Sequence, residues 1–283
     1  MWVVLSPSVV CLSFLGLEKM DTNKGISSIV SAAVESFATG FEARHIAEVD
    51  NPEGVIQSKI NNVFIRELGE ELVYYSALVR SFDSSFGNML ERMAINIAKP
   101  FYEVYNNVDG PIYQEQLNHI NNILEKYKRN EVKPDSNHYN AIHKITGKID
   151  YKRHDSDYYL YDRENNSHYL IELKIGGDLD TKKARSEKEA LLEQYAILAN
   201  SIGNDANIYI RFATAYNKYG EGKPWHQHQV LRYFSEDELL IAKEFWNFIT
   251  KNSNGYDIVL QAYRENVHKI KAALQRIKGC YLS

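Results

Sequence analysis

The sequence predicts an α/β fold: a mixed β-sheet core flanked by helices, with an additional N-terminal helical layer. Three observations predict it. Apolar residues recur at helical spacing through the first half; they alternate with period two between Gly147 and Ile175; and a helical run then separates that stretch from one more β-rich segment. With 283 residues, 44% of them hydrophobic, the chain can bury a full core, so disorder is not the default expectation.

The opening stretch MWVVLSPSVVCLSFLGLEKM is apolar, but no positive residue precedes Lys19 and Pro7 interrupts the run. Neither an export signal nor a membrane span is expected from it. Met20 reads as the natural start, which makes residues 1–19 a non-native or unstructured extension. Residues 20–135 are expected to form a helical part, and residues 136–283 the sheet core with its C-terminal helices. Cys11 and Cys280 stand at opposite ends and give neither a disulfide framework nor zinc-finger spacing, which fits a cytoplasmic protein. A net charge of -4 argues against a uniformly basic coat for nucleic acid, although a locally positive cleft is compatible with it.

From Pro52 to about Tyr105, Ile56, Ile60, Val63, Phe64, Leu68 and Leu72 follow helical spacing, with breaks expected near Phe82 and Pro100. SFDSSFGNMLERMAINIA reads as a helix capped by Ser84 or Ser85. A further helix is expected from Tyr113 to about Lys128, ahead of a polar link containing Pro134. Strands are expected near 148–153, 157–163 and 167–175, with a turn at RENNS, followed by the helix TKKARSEKEALLEQYAILANS and the strand ANIYIRFATAY. Strand, helix, strand makes a parallel crossover. Two helices, parted around KNSNG, are expected between Glu236 and Ile277.

In HYLIELKIGG, Glu172 and Lys174 lie two residues apart and share one strand face, while Ile171, Leu173 and Ile175 share the other. Ionic groups amid apolar ones cost free energy unless they pair or bind an ion. If Glu164 and Asn165 form the hairpin loop, Arg163 faces Asn166, and the same register brings Asp157 across from Glu172, about 5 Å away between Cβ atoms. Two carboxylates this close repel, unless a hard cation such as Mg²⁺ neutralises them. Lys174 beside them can orient a metal-bound water or stabilise charge on a phosphorane. Asp155, on the same face one pair further along, and the more distant Asp150 are rivals for the first acidic position; a turn one residue longer would change the choice. Asp162 reads as a turn residue.

HDSDYYLYDRENNSHYLIELKIGGDLD resembles the PD-(D/E)xK nuclease core. The longer string ELKIGGDLDTKKARSEKEALLEQYAIL, with SFDSSFGNMLE upstream and AKEFWNFI downstream, resembles type II restriction endonucleases of the TdeIII kind over most of residues 55–275. The resemblance implies a restriction-endonuclease-like fold. It further implies a Mg²⁺-dependent homodimer, with Mn²⁺ able to substitute, that cuts both strands of double-stranded DNA at a short palindrome of GGNCC type and is accompanied by a cognate DNA methyltransferase. Asp157, Glu172 and Lys174 would be its catalytic residues, with Asp157 and Glu172 on the metal and Glu91 adding an acidic contact to metal-bound water. Ser156 stands where the motif's name has Pro. A structure-selective repair or junction nuclease and a metal-free DNA-binding module are the alternative functions.

Around this centre, Gly176 and Gly177 would let backbone amides approach a phosphate, or simply make the turn into a helix capped by Asp178 or Asp180. Lys182, Lys183, Arg185 and Lys188 could clamp the DNA backbone, although Glu187 and Glu189 suggest an ordinary solvated face. Gln194 reads as a surface residue. His226 and His228 lack further converging ligands, which disfavours zinc.

Overall fold

The computed structural model describes residues 7–48, 51–139, 141–176, 179–202 and 207–281; the side chains up to position 21 and those at 156 and 157 also lie outside the description. The first half contains α1 (Pro7–Glu48), α2 (Val55–Ile60), α3 (Val63–Arg66), α4 (Glu70–Ala98), β1 (Glu103–Tyr113) and α5 (Gln114–Lys128). Next come β2 (Ile149–Asp162), β3 (Ser167–Lys174), α6 (Thr181–Ser201) and β4 (Asn207–Thr214). The chain closes with α7 (His228–Leu231), β5 (Leu239–Ile241), α8 (Lys243–Ile249) and α9 (Gly255–Tyr281). Two compact units result, one from Met1–Met93 with Asp257–Ser283 and one from Ala94–Tyr256.

In the first unit, α1 buries Ile26, Val30, Val34, Phe37 and Phe41, a spacing of three to four residues that forms one helical stripe. Phe37 meets Phe82 and Phe86 of α4 edge-on, with ring centroids 5.7 and 5.8 Å away. Ser31 Oγ donates to Asn266 Oδ1 of α9 at 2.9 Å, and Lys269 and Arg276 of α9 pair with Glu35 and Glu42 of α1. This packing corrects the expected break at Phe82. Helix α4 runs through it, with Ser84 and Ser85 inside the helix rather than at its start. Phe82 and Phe86 are fixed in the aromatic cluster, and Ser85 Oγ accepts from Arg44 at 3.2 Å, so tertiary contacts override the capping signal. The helix stops before Pro100, as expected.

The second unit is built on a five-stranded sheet in the order β1-β2-β3-β4-β5. The first three strands run antiparallel, and β3, α6 and β4 make the expected parallel crossover, with β5 added parallel to β4. Helices α5 and α6 cover one face: Leu117, Ile120 and Leu124 join Leu191 and Ile197 over Leu170, Ile210 and Phe212. On the other face, α8 sets Phe245 against Tyr158 and Phe248 against Tyr169. The sheet therefore has two apolar faces, which explains why charged residues within it are exceptional.

Three expectations for this unit need correcting. The strands near 148–153 and 157–163 are one strand, β2. No strand was expected between the helical run ending at about Tyr105 and the helix from Tyr113, yet β1 pairs along β2 at the sheet edge, where Pro111 and its missing N–H are tolerated. The segment after Ser235 opens with a 3₁₀ turn and β5 before α8, because Leu239, Leu240 and Ile241 find partners on β4. Asp162 behaves as a turn residue: its carboxylate accepts from Glu164 N, Asn165 Nδ2 and Lys251 Nζ.

Candidate active site

Alternation along β3 puts Ile171 and Leu173 with the α8 face, and Leu170, Glu172 and Lys174 with the α6 face. Glu172 is only 8% exposed, deep enough that an ionised carboxylate needs a partner. Lys174 Nζ supplies one, in direct contact with Glu172 Oε1 and 3.2 Å from Glu187 Oε1. Burial pulls the ammonium toward neutrality, but Glu172 and Glu187 outweigh it and raise its pKa well above the ordinary lysine value. Lys174 thus stays cationic around neutral pH, suited to holding negative charge and unsuited to accepting a proton.

The hairpin register is the expected one, from Asp162↔Ser167 to Tyr158↔Ile171. Asp157 is the next residue of β2, and its side chain lies outside the described residues. Here the pairing with β1 slips: Tyr105↔Tyr159 is followed by Asn107↔Asp155, so one residue of β1 stands opposite three of β2. Tyr159 pairs with Leu170 on the α6 face, yet Lys152 and His154 also reach α6, so the parity facing that helix switches within the slip. Asp155 alternates with His154 and is exposed, which corrects its expected place beside Glu172. Asp150 pairs with Ile112 and is far along the strand.

Helix α6 begins where Asp180 caps it, accepting from Lys183 N at 2.8 Å. That start sends Glu187, Leu191 and Gln194 down one side of the helix. Glu187 therefore enters the site instead of a solvated face, and Gln194, expected at the surface, is 3% exposed with Oε1 unpartnered. The helical spacing from Leu191 and Leu192 could have signalled both. Glu193 is also buried, gripped by Lys152 Nζ at 2.8 and 2.9 Å and by His154 Nε2 at 2.8 Å. Lys188 cannot clamp DNA: it is 0% exposed, bonded to Glu238 at 2.5 Å, with its ammonium over the rings of Tyr139 and Phe234.

Lys182 and Lys183 are exposed at the start of α6. Arg185 is held by Glu189 at 2.9 Å and reaches Glu125 and Asn121 of α5 at 3.5 and 3.4 Å. A Cβ on Gly176 would fall 2.5 Å from Tyr216 Oη, so this position has to stay bare for Tyr216 to fold over it. Gly177 and Asp178 lie outside the described residues. Glu91 belongs to α4 in the first unit. His226 stacks near Tyr219, and among the described residues no group of three His, Cys, Asp or Glu side chains converges as metal ligands.

A family model for the type II restriction endonuclease HinfI matches residues 22–266, most of the chain. The chain belongs to this HinfI family. Its members are restriction endonucleases, so this is a DNA-directed phosphodiester hydrolase. The helix-flanked mixed sheet is consistent with a restriction-endonuclease-like fold in this HinfI-family chain. No curated protein and no solved structure matches the chain. Among the described residues, no helix is long and apolar enough to cross a membrane.

Proposed function

We propose that this HinfI-family chain is a PD-(D/E)xK enzyme that uses Mg²⁺, or Mn²⁺ in its place, to cut both strands of double-stranded DNA at a short palindrome in the cytoplasm. The observation that carries the proposal is the buried Glu172 paired with Lys174 beside a hairpin whose register leads from Tyr158↔Ile171 to Asp157. The carboxylates of Asp157 and Glu172 are the hard oxygen donors that Mg²⁺ prefers, and they would hold it. The bound ion supplies Lewis-acid activation of the phosphate and an acidified water.

Hydrolysis joins a water oxygen to phosphorus and releases the sugar oxygen. Lys174 stands ready to neutralise the charge that grows on the phosphate oxygens, and Glu187 keeps its ammonium turned toward Glu172. Lys182, Lys183 and Arg185 contact flanking phosphates, and Gly176 and Gly177 let the backbone approach. The resemblance to the TdeIII kind supports a GGNCC-type site, a homodimer and a methyltransferase that protects the host's own DNA.

Incubating the full chain with long DNA of known sequence and Mg²⁺ should yield discrete fragments whose ends map to one palindrome. Asp157→Ala or Lys174→Ala should lower the rate by at least about a hundredfold without unfolding the protein. Intact DNA with every divalent ion tried would overturn the proposal, and ends mapping to another sequence would replace GGNCC. Absence of heat on titrating Mg²⁺ or Mn²⁺ into the protein–DNA complex would overturn the proposed metal site.

A further inference from the structure

The second unit holds a cavity of about 370 Å³, a volume typical of small-molecule sites. It lies along the first half of β4, away from Thr214, the partner of Lys174. Tyr139, Ile210 and Glu238 line it as buried residues, and Asn137, His143 and Asn207 as exposed ones. Strand β5 pairs only with Phe212, Ala213 and Thr214, so among the described residues no strand covers this edge of β4 from Asn207 to Arg211. Asn207 N–H donates toward β3, to Asn166 O at 3.1 Å, while Thr214 C=O accepts on the β5 side from Ala242 N at 3.0 Å. Alternation therefore turns the N–H and C=O of Ile208 and Ile210 to the open edge. The Ile210 carbonyl accepts from Arg211 Nη1 at 3.0 Å, and Ile208 presents a donor and an acceptor side by side.

We propose that this cavity binds a purine nucleotide. The N–H and C=O of Ile208 match the neighbouring acceptor and donor on the edge of a purine ring. Tyr195, half-buried on α6 and edge-on to Tyr139 at 6.0 Å between ring centroids, gives the base an aromatic surface to pack on. Arg211 makes no second hydrogen bond and no ion pair among the described residues, so with His143 it has donors for a phosphate. Glu238 is already taken by Lys188, Tyr139 and Ser235, which leaves Asp237 as the carboxylate to accept from a sugar hydroxyl. A bare inorganic anion would leave Tyr195 and the Ile208 edge unused, and a purely apolar ligand would strand Arg211 and the same edge.

Calorimetric titration of the full chain with AMP and with GMP, without DNA or divalent ions, tests the proposal. At least one of the two should bind saturably, with inorganic phosphate and adenosine each at least about tenfold weaker. Arg211→Ala and Tyr195→Ala should each weaken nucleotide binding at least about tenfold, whereas Tyr195→Phe, which keeps the ring, should bind as wild type does. Hydrogen exchange on the wild type keeps the test independent of how the variants fold: amides of residues 207–211 should gain protection when the nucleotide is added. Failure of both nucleotides to bind, phosphate that binds as tightly as AMP, or affinity unchanged by Arg211→Ala overturns the proposal. So does protection confined to residues 172–176, which would put the nucleotide in the candidate active site instead.

Discussion

Glu193 is a carboxylate whose ionisation is set by two competing surroundings. Burial would raise its pKa, but the hydrogen bonds from His154 and Lys152 and their charges outweigh burial and depress it below the ordinary glutamate value of 4.5. A depressed carboxylate contributes stability that is present above 4.5 and lost as the pH falls through its folded value. The stability gap between wild type and Glu193→Gln should therefore be constant near neutrality and narrow only below about pH 4.5, as read from urea midpoints across pH. A gap that persists unchanged into acid would show that the side chain acts through packing. Lys188 is the harsher case. Glu238 is the carboxylate that compensates its buried charge, so Glu238→Ala should cost about 3–5 kcal/mol by urea unfolding. Lys188→Met with Glu238→Leu together should recover most of that loss.

At the level of elements, α6 positions the site. It carries Glu187 toward Lys174, Gln194 into the interior and Glu193 toward β2, and its start is fixed by Asp180. Asp180→Ala should cost about 1 kcal/mol of stability and lower cleavage more than an equally destabilising change elsewhere, because the first turns of α6 set Glu187. Equal losses of stability and activity at both sites would remove that role. The β2–β3 hairpin, the α6 crossover and β4 were legible in the sequence because alternation and helical spacing are clean there. Strand β1 was not, since Asn106, Asn107, Asp109, Gly110 and Pro111 break its alternation and only pairing along β2 makes it a strand. Glu187 and Gln194 were read as solvent-facing because charged and polar side chains on a helix usually are. Helix α6 is the exception, enclosed between the sheet and α5. The two-residue excess of β2 beside Asp157 has no composition signal at all, and it alone moves Asp155 away from Glu172's side of the strand.

For the molecule as a whole, the separate cores of the two units have a measurable consequence. The first unit is tied together by α1 and α9 through Glu35–Lys269 and Glu42–Arg276, pairs drawn from the two ends of the chain. Lys269→Ala and Arg276→Ala should each leave stability almost unchanged, because exposed pairs contribute little, while Phe37→Ala should cost about 3–5 kcal/mol. Thermal unfolding of the three variants would rank them; a charge variant that unfolds as early as Phe37→Ala would show that the ion pairs, not the aromatic cluster, hold this unit.

Lys188 offers one more use. A lysine sealed under aromatic rings is out of reach of amine-acylating reagents, while Lys182 and Lys183 on the same helix are open to them. Peptide mass mapping after brief acylation would then find label on the two outer lysines from the first seconds, and on Lys188 only once α6 has lifted away, so that a single residue serves as an internal timer for opening of the core.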